Sequence, residues 1–254
     1  MLYQTAKGSD FLQYLPLIIG AYLIYFIISK IPVFIYRNGI SAIMKKDYEK
    51  GLTTLDKTFN MNLKPAQKVQ CAYAELKFGD IKKARKKLNL IMLDAKAKEN
   101  AKNEARCISA IVYLNEGDLN EARELMDALY SVGFKHSNFF ATYGYIAILS
   151  GDSEYYNRIN DEAYDYNKDN VVIQDNYAWC KYLNGDLDEA LKLYEEAIEK
   201  EPSFPEIYYN YALTLIKKEN NEKAKEMLEK ALEQEFFGIT TIKREQVEAV
   251  LARL

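Results

Sequence analysis

The sequence predicts an all-α protein in which one hydrophobic helix precedes a solenoid of helix-turn-helix repeats. Three observations lead to this fold class. Helix breakers are few, with 5 Pro and 11 Gly among 254 residues, and such a composition favours long helical stretches. An uncharged apolar run lies near the amino terminus. Glycine-aspartate steps then recur at a nearly constant spacing along the chain.

The apolar run extends from Phe11 to Ser29 without a charged residue. As a helix it would be roughly 28 Å long, close to the ~30 Å hydrocarbon thickness of a bilayer. We therefore predict that residues 1–31 form a tail and a transmembrane anchor, with residues 11–29 in the membrane. No small-residue cleavage site follows the run, which argues against a removed signal peptide. A buried first helix of the solenoid is the alternative.

The basic residues that flank the apolar run predict its orientation. Lys30, Arg37, Lys45 and Lys46 follow the run, whereas only Lys7 precedes it. Positively charged flanks stay on the cytoplasmic side of a membrane. The sequence thus predicts a single-pass membrane protein whose large carboxy-terminal part is cytoplasmic.

The repeat is visible in small residues as well as in the glycine-aspartate steps. The steps are spaced by 38, 34 and 34 residues, and small residues recur seven before and five after most of the glycines. Two small residues on facing helices allow the backbones to approach closely, which explains why their spacing is maintained. The glycines that define the period are Gly79, Gly117, Gly151 and Gly185, and the small residues are Ala72, Ala110, Gly144, Ala178 and Ala212 on one side and Ala84, Ala122, Ala190 and Ala224 on the other.

The repeat resembles the tetratricopeptide repeat family, whose 34-residue unit is a helix, a tight turn and a second helix. The resemblance is clearest from Val171 onward, where Tyr177-Ala178, Gly185-Asp186, Ala190, Tyr194, Ala197 and Pro202 match the pattern of the family. It implies a right-handed superhelical solenoid. We predict six repeats at residues 32–64, 65–98, 103–136, 137–170, 171–204 and 205–238, with a capping helix at residues 239–254.

Several positions depart from the pattern of the family. Lys46 replaces the turn glycine of the first repeat, and Glu219-Asn220-Asn221 replaces that of the sixth. In the fourth repeat, Tyr156 stands where a small residue is expected and Asn160 where a large apolar one is expected. We therefore expect irregular packing in the first and fourth repeats. Four extra residues near 97–102 are expected to lengthen the second helix of repeat two or the connection after it.

The carboxy-terminal residues predict a helix that covers the open end of the solenoid. Val247, Val250, Leu251 and Leu254 recur at helical spacing and form one apolar stripe, and Thr241 is the predicted amino-terminal cap. Solenoid ends need such a cover. A helix that docks a partner is the alternative.

Nothing in the sequence predicts catalysis, a cofactor or a metal site. His136 is the single histidine, the three cysteines are far apart, and no phosphate-binding glycine motif occurs. We expect Cys71, Cys107 and Cys180 to be buried, reduced thiols. The aspartates after the turn glycines are predicted to cap the second helices and not to bind calcium. Basic residues form no cluster, which argues against nucleic-acid binding.

The resemblance implies that the first helices of successive repeats line a concave groove that binds a protein or peptide. Some family members clamp a carboxylate there with Lys, Arg and Asn, but Asp175 and Glu206 bring the opposite charge to this chain. Whether the groove side chains are exposed or pack against the next repeat is left open by the sequence. The predicted groove residues are Val69, Tyr73, Cys107, Ile111, Tyr145, Asp175, Trp179, Tyr209 and Leu213.

Two functional interpretations follow. In the first, the chain is a non-enzymatic, membrane-anchored adaptor that uses an apolar and aromatic groove to bind a protein or peptide. In the second, it is a structural subunit of a membrane complex, assembled through the outer surface of the solenoid and through the anchor, where Gly20-Ala21 offers a small patch for helix packing. The oligomeric state and the identity of the partner are not predicted by the sequence.

Overall fold

A computed structural model describes residues 9–254 of the chain. The predicted amino-terminal tail, including Lys7, lies outside these residues. The described part is all-helical. Its helices are Ser9–Met44 (α1), Tyr48–Phe59 (α2), Pro65–Phe78 (α3), Ile81–Leu93 (α4), Glu99–Asn115 (α5), Leu119–Ser131 (α6), Ser137–Leu149 (α7), Ser153–Asn167 (α8), Val171–Leu183 (α9), Leu187–Ile198 (α10), Pro205–Lys217 (α11), Asn221–Glu233 (α12) and Arg244–Leu251 (α13).

Contacts divide the chain into two compact bodies, an N-terminal body that ends at Cys71 and a C-terminal body from Ala72 to Leu254. In the N-terminal body, α1 runs for 36 residues and includes Pro16 and Pro32. Its segment Tyr14–Met44 is long and apolar enough to cross a membrane. Side chains of this segment that would be buried in a soluble core are exposed instead, such as Leu17 at 69% and Tyr25 at 70%.

The end of α1 packs closely on α2. A Cβ at Gly39 would lie 2.8 Å from the Leu55 side chain, and one at Gly51 would lie 2.6 Å from the Ile43 side chain. These two glycines let the helices approach closely. The turn between the helices places Lys46 at a φ of 61°, a conformation that usually favours glycine.

In the C-terminal body, the helices stack in consecutive antiparallel pairs. One apolar cluster fills α5 to α8 around Phe139, Tyr143 and Ile159. A second fills α9 to α12 around Tyr194 and Tyr211. Each pair buries its apolar side against the next pair, which is how solenoid repeats obtain a continuous core.

The turns within the helix pairs follow the predicted chemistry with one exception. Asp80, Asp118 and Asp152 each accept a hydrogen bond from the backbone N–H three residues later, at 2.8, 3.2 and 3.1 Å. Asp186 precedes α10 but makes no such bond, so its predicted capping role is wrong. Glu219 takes the place of a turn glycine with a φ of 61°.

The extra residues near 97–102 lengthen a helix other than the one expected. They extend the start of α5, which has 17 residues, whereas α7, α9 and α11 have 13 each. The prediction that they lengthen the second helix of repeat two or its connection is therefore wrong. Glu99 and Ala101 are good helix formers, so this stretch joins the helix that follows it.

The helix α13 covers the end of the last pair with part of its predicted stripe. Val247 is fully buried, and Val250 and Leu251 pack on the same cluster, but Leu254 is 43% exposed and does not belong to the stripe. Thr241 is not the cap of this helix, since α13 begins at Arg244 after Lys243. The Gln246 side chain accepts the Lys243 N–H at 2.6 Å instead.

Candidate functional site

The first helices of the pairs in the C-terminal body, namely α5, α7, α9, α11 and residues 72–78 of α3, form what we call the groove face. On α9, the rings of Trp179 and Tyr182 stack at 4.3 Å between centroids with an interplanar angle of 11°. Both side chains are half-buried. Lys217 of α11 lies 4.7 Å from the Tyr182 ring. These residues form a partly exposed aromatic platform, which is a suitable surface for anchoring a bound side chain.

Tyr209 of α11 lies near this aromatic platform. Burial raises the pKa of the Tyr209 hydroxyl, and the neighbouring Tyr182 raises it further. Tyr182 thus stacks on Trp179 and lies near Tyr209, although it is not among the groove residues predicted from the sequence. Its signal is its position one helical turn after Trp179, on the same helix face.

An acidic cluster lies next on the groove face. The Asp175 carboxylate is buried and accepts a hydrogen bond from the Asn210 Nδ2 at 3.1 Å. Burial raises the pKa of Asp175 to about 7, against the lowering effect of the Asn210 bond, and the negative charge of Glu206 raises it further. Burial also raises the pKa of Glu206. Two acidic groups near each other in a low dielectric favour a neighbouring hydrogen-bond donor or cation.

The asparagine that holds Asp175 belongs to a repeating arrangement. Asn176 and Asn210 occupy the same position in successive repeats, 34 residues apart. Asn176 Nδ2 donates to the Ala141 backbone carbonyl at 2.8 Å, in the way that Asn210 reaches Asp175 in the next pair. Each amide therefore joins neighbouring first helices and fixes their register. The pair is not among the residues predicted from the sequence, although the 34-residue spacing of the two asparagines is a signal that identifies it.

A segment of the chain itself lies on the groove face. Residues 234–243 connect α12 to α13 without regular secondary structure, and we call them the strap. The Gly238 N–H donates to the Lys77 carbonyl at 3.0 Å. Farther along, the Thr241 N–H donates to Glu206 Oε1 at 2.6 Å. Burial raises the pKa of Tyr145, and the nearby Thr241 side chain opposes this rise. The strap thus hydrogen-bonds to first helices of two different pairs, α3 and α11.

The predicted groove residues differ in exposure. Val69, Cys107 and Asp175 are buried, and Tyr73 is 38% exposed. The remaining residues, Ile111, Tyr145, Trp179, Tyr209 and Leu213, are half-buried. Burial raises the pKa of Tyr145, and the charges of Glu206 and Asp175 raise it further. Burial and then the charge of Glu206 raise the pKa of Asp175. The half-buried residues present partial surfaces, whereas the three buried ones contribute to packing.

The cysteines and the histidine occupy structural positions. Cys71, Cys107 and Cys180 are buried, reduced thiols, and burial raises the pKa of both Cys107 and Cys180 to about 12. Thiols with such pKa values are poor nucleophiles at neutral pH. His136 Nδ1 accepts the Phe139 N–H at 3.2 Å at the start of α7, and its Nε2 lies 3.3 Å from Glu104.

The fold is that of solved tetratricopeptide repeat proteins. A sequence profile of the tetratricopeptide repeat matches residues 181–237. A tetratricopeptide repeat protein from Parabacteroides merdae superposes with a TM-score of 0.66 at 13% identity, over 87% of this chain and 83% of the other. The thermophilic protein TTC0263 from Thermus thermophilus superposes with a TM-score of 0.50 at 16% identity, over 87% and 97%.

A sequence search of curated proteins found no match. The matched profile and the superpositions together identify the fold as a tetratricopeptide-type solenoid. Proteins with this fold are in general scaffolds for protein–protein interaction, and typically not enzymes.

Proposed function

We propose that this chain is a membrane-anchored adaptor that binds an extended peptide or an amphipathic helix of another protein on its groove face. The observation that carries the proposal is the aromatic platform on α9, where Trp179 and Tyr182 are stacked, half-buried and supported by Lys217. Stacked rings are already ordered before binding, so a ligand side chain meets a preformed surface at low entropic cost. In this proposal the ligand also contacts Tyr73, Ile111, Tyr145 and Leu213.

The exposed apolar part of α1 supports the membrane anchor. Large side chains such as Leu17, Ile24 and Tyr25 are 60–70% exposed, which is costly in water but favourable in hydrocarbon. In our proposal the repeats are on the cytoplasmic side, because Lys30, Arg37, Lys45 and Lys46 follow the apolar run. An anchored groove needs only modest affinity for a partner at the same membrane, because anchoring raises the effective concentration.

Site-specific photo-crosslinking in native membranes tests the groove. A photoreactive phenylalanine analogue replaces Trp179 in one variant and Leu93 in another. Leu93 is the matched control, because it is an 81% exposed apolar residue at the end of α4. We expect a discrete crosslinked partner from position 179 and none from position 93. Trp179→Ala should reduce capture of that partner at least tenfold while helical circular dichroism is unchanged. Equal capture by Trp179→Ala would contradict the groove proposal.

Protease accessibility in sealed vesicles tests the topology. If the repeats face the cytoplasm, inside-out vesicles expose them to added protease and right-side-out vesicles protect them. The opposite pattern would contradict the orientation, and release of the chain by alkaline carbonate would contradict the anchor.

A second candidate function is supported by the helix α1 itself. Nothing lies within 4 Å of a Cβ placed at Gly20, so this small position is open to another membrane helix. In a structural subunit, Gly20→Leu should break a detergent-stable complex. In the adaptor, the same substitution should leave capture through Trp179 unchanged.

A further inference from the structure

We propose that the strap is a resident ligand of the groove face, and that the natural partner is an extended peptide that displaces it. This inference rests on the function proposed above, and it adds the chemistry of the partner and a means of regulation. The strap is held at two places, on α3 and on α11, with an irregular stretch between them.

The first place is the carboxy-terminal end of α3. There the Gly238 N–H satisfies the Lys77 carbonyl at 3.0 Å, one of the last carbonyls of the helix, which have no partner within the helix. The Phe237 ring meets the Phe78 ring edge-on at 4.9 Å, and the Lys77 ammonium lies 5.0 Å from the centre of the Phe237 ring. A main-chain bond and contacts to the Phe237 ring thus fix this end, as they would fix a bound peptide.

Position 238 requires glycine for steric reasons. A Cβ at Gly238 would overlap the Leu76 carbonyl oxygen, and this oxygen belongs to helical backbone that cannot move aside as a flexible side chain would. A larger residue at position 238 would therefore lift the strap from α3. The same steric limit applies to any peptide that makes this main-chain bond.

The second place is the start of α11. The Thr241 N–H donates to Glu206 Oε1 at 2.6 Å, and the Thr241 hydroxyl lies 3.2 Å from the same oxygen. The strap thus supplies two donors to Glu206, the partly buried member of the acidic cluster. A basic or hydroxyl-bearing ligand residue would supply the same donors, and a lysine would add an attractive charge.

The strap is built to leave the groove without unfolding the helices at either side of it. Its own hydrogen bonds are confined to a turn in which Phe237 and Thr240 exchange two bonds of 2.9 Å. The neighbouring helix α13 stays fixed by the fully buried Val247. Phe236 and Ile242, near the two ends of the strap, pack on the apolar cluster of α9 to α12. Displacement therefore releases only the residues between them and is a local event.

These contacts define the partner by its chemistry. It is an extended segment with an aromatic residue, then a glycine, and a hydroxyl-bearing or basic residue three positions after the glycine. In the strap these positions are Phe237, Gly238 and Thr241. Because the strap is covalently attached at both ends, a free peptide must compete with a high effective concentration of strap.

A peptide with the sequence of residues 233–243, carrying a fluorescent label, is the probe. It is added to the full chain in detergent micelles, and binding is followed by fluorescence anisotropy. We expect the Gly238→Ala chain to bind the peptide at least tenfold more tightly than the wild-type chain, because its own strap no longer fits. Glu248→Ala, an exposed change on α13, is the control and should behave as wild type. Equal binding by wild type and Gly238→Ala, or no binding by either at 1 mM peptide (roughly the effective concentration of a short tether), would overturn the proposal.

Hydrogen exchange gives a second measurement that needs no peptide. The Gly238 and Thr241 amides should be protected in the wild-type chain, because both donate to the groove face. Thr241→Val keeps the backbone bond but removes the hydroxyl, so it should accelerate exchange at both amides less than Gly238→Ala does. Rapid exchange of both amides in the wild type would contradict a bound strap. If Trp179→Ala spares partner capture while Gly238→Ala still opens the strap, the aromatic platform is not the partner site and the strap inference stands.

Discussion

The helix pairs α7–α8 and α9–α10 solve the same packing problem with different residues. In α9–α10 the close contact is made by two alanines, Ala178 and Ala190, both fully buried. In α7–α8 the corresponding residues are Gly144 and Tyr156. The smaller Gly144 on α7 thus accompanies the much larger Tyr156 on α8. One helical turn after Tyr156, the buried residue is Asn160.

The buried Asn160 of α8 is explained by Gly144 on the facing helix α7, which has no side chain. Asn160 Nδ2 donates to the Gly144 carbonyl at 3.1 Å and to the Tyr156 carbonyl at 2.9 Å. A Cβ at Gly144 would overlap the Asn160 Oδ1, so this contact requires glycine. The comparison teaches that the repeat constrains the combined size of facing residues. The individual residue types follow from that constraint.

The largest expected difference between the pairs is in their response to pH. Asp175 of α9 is buried with a pKa of about 7, whereas its counterpart in α7 is Ala141. A carboxyl group whose pKa is raised in the folded state contributes stability that is present below about pH 4 and lost as the pH rises through 7. The free energy of unfolding should therefore fall by roughly 2–3 kcal/mol between pH 5 and pH 8.

Urea denaturation of the full chain in detergent micelles, followed by the fluorescence of the single Trp179, measures this effect. Asp175→Asn should remove most of the pH dependence. Glu206→Gln should remove less of it, because the pKa of Glu206 is also raised by burial but the group is less deeply buried than Asp175. A wild-type chain with equal stability at both pH values would show that Asp175 is not buried as described.

The next largest effect is expected at the glycine of α7. Gly144→Ala should lower the free energy of unfolding by about 2 kcal/mol, because the added methyl group overlaps Asn160. A double-mutant cycle sharpens the test. In an Asn160→Ala background the same methyl group should cost much less, since the overlapping oxygen is gone. Additive effects of the two substitutions would contradict direct contact between these residues.

The smallest effects are expected at two tyrosine hydroxyls. The Tyr143 hydroxyl of α7 donates to Asp127 at 2.5 Å, whereas the buried Tyr194 hydroxyl of α10 has no hydrogen-bond partner within the described residues. Tyr143→Phe should lower the free energy of unfolding by about 1 kcal/mol. Tyr194→Phe should leave it unchanged or raise it by a few tenths of about 1 kcal/mol. The same urea titration distinguishes them. A larger loss for Tyr194→Phe would mean that its hydroxyl is satisfied, for instance by water.

The sequence predicts the helical pairs well because their signal is local. Small residues such as Ala178 and Ala190 recur at a fixed period, and four of the turns contain a glycine-aspartate step. The candidate site is less predictable. The burial of Asp175 depends on how neighbouring first helices pack, and the strap has no periodicity. Thr241 looked like a helix cap, but its donors are used by Glu206 on a helix far away in the sequence.

The contact between Gly238 and Lys77 joins the first and last helix pairs of the C-terminal body. An open array of repeats loses structure from its termini inward, because the outermost unit has only one neighbour. Here the hydrogen bond between Gly238 and Lys77 connects the two outermost pairs. Unfolding of one outermost pair would therefore also break a contact that stabilises the other. Binding of a peptide in place of the strap would break this link while α13 stays fixed by the buried Val247, so that the first and last pairs could then move independently of each other.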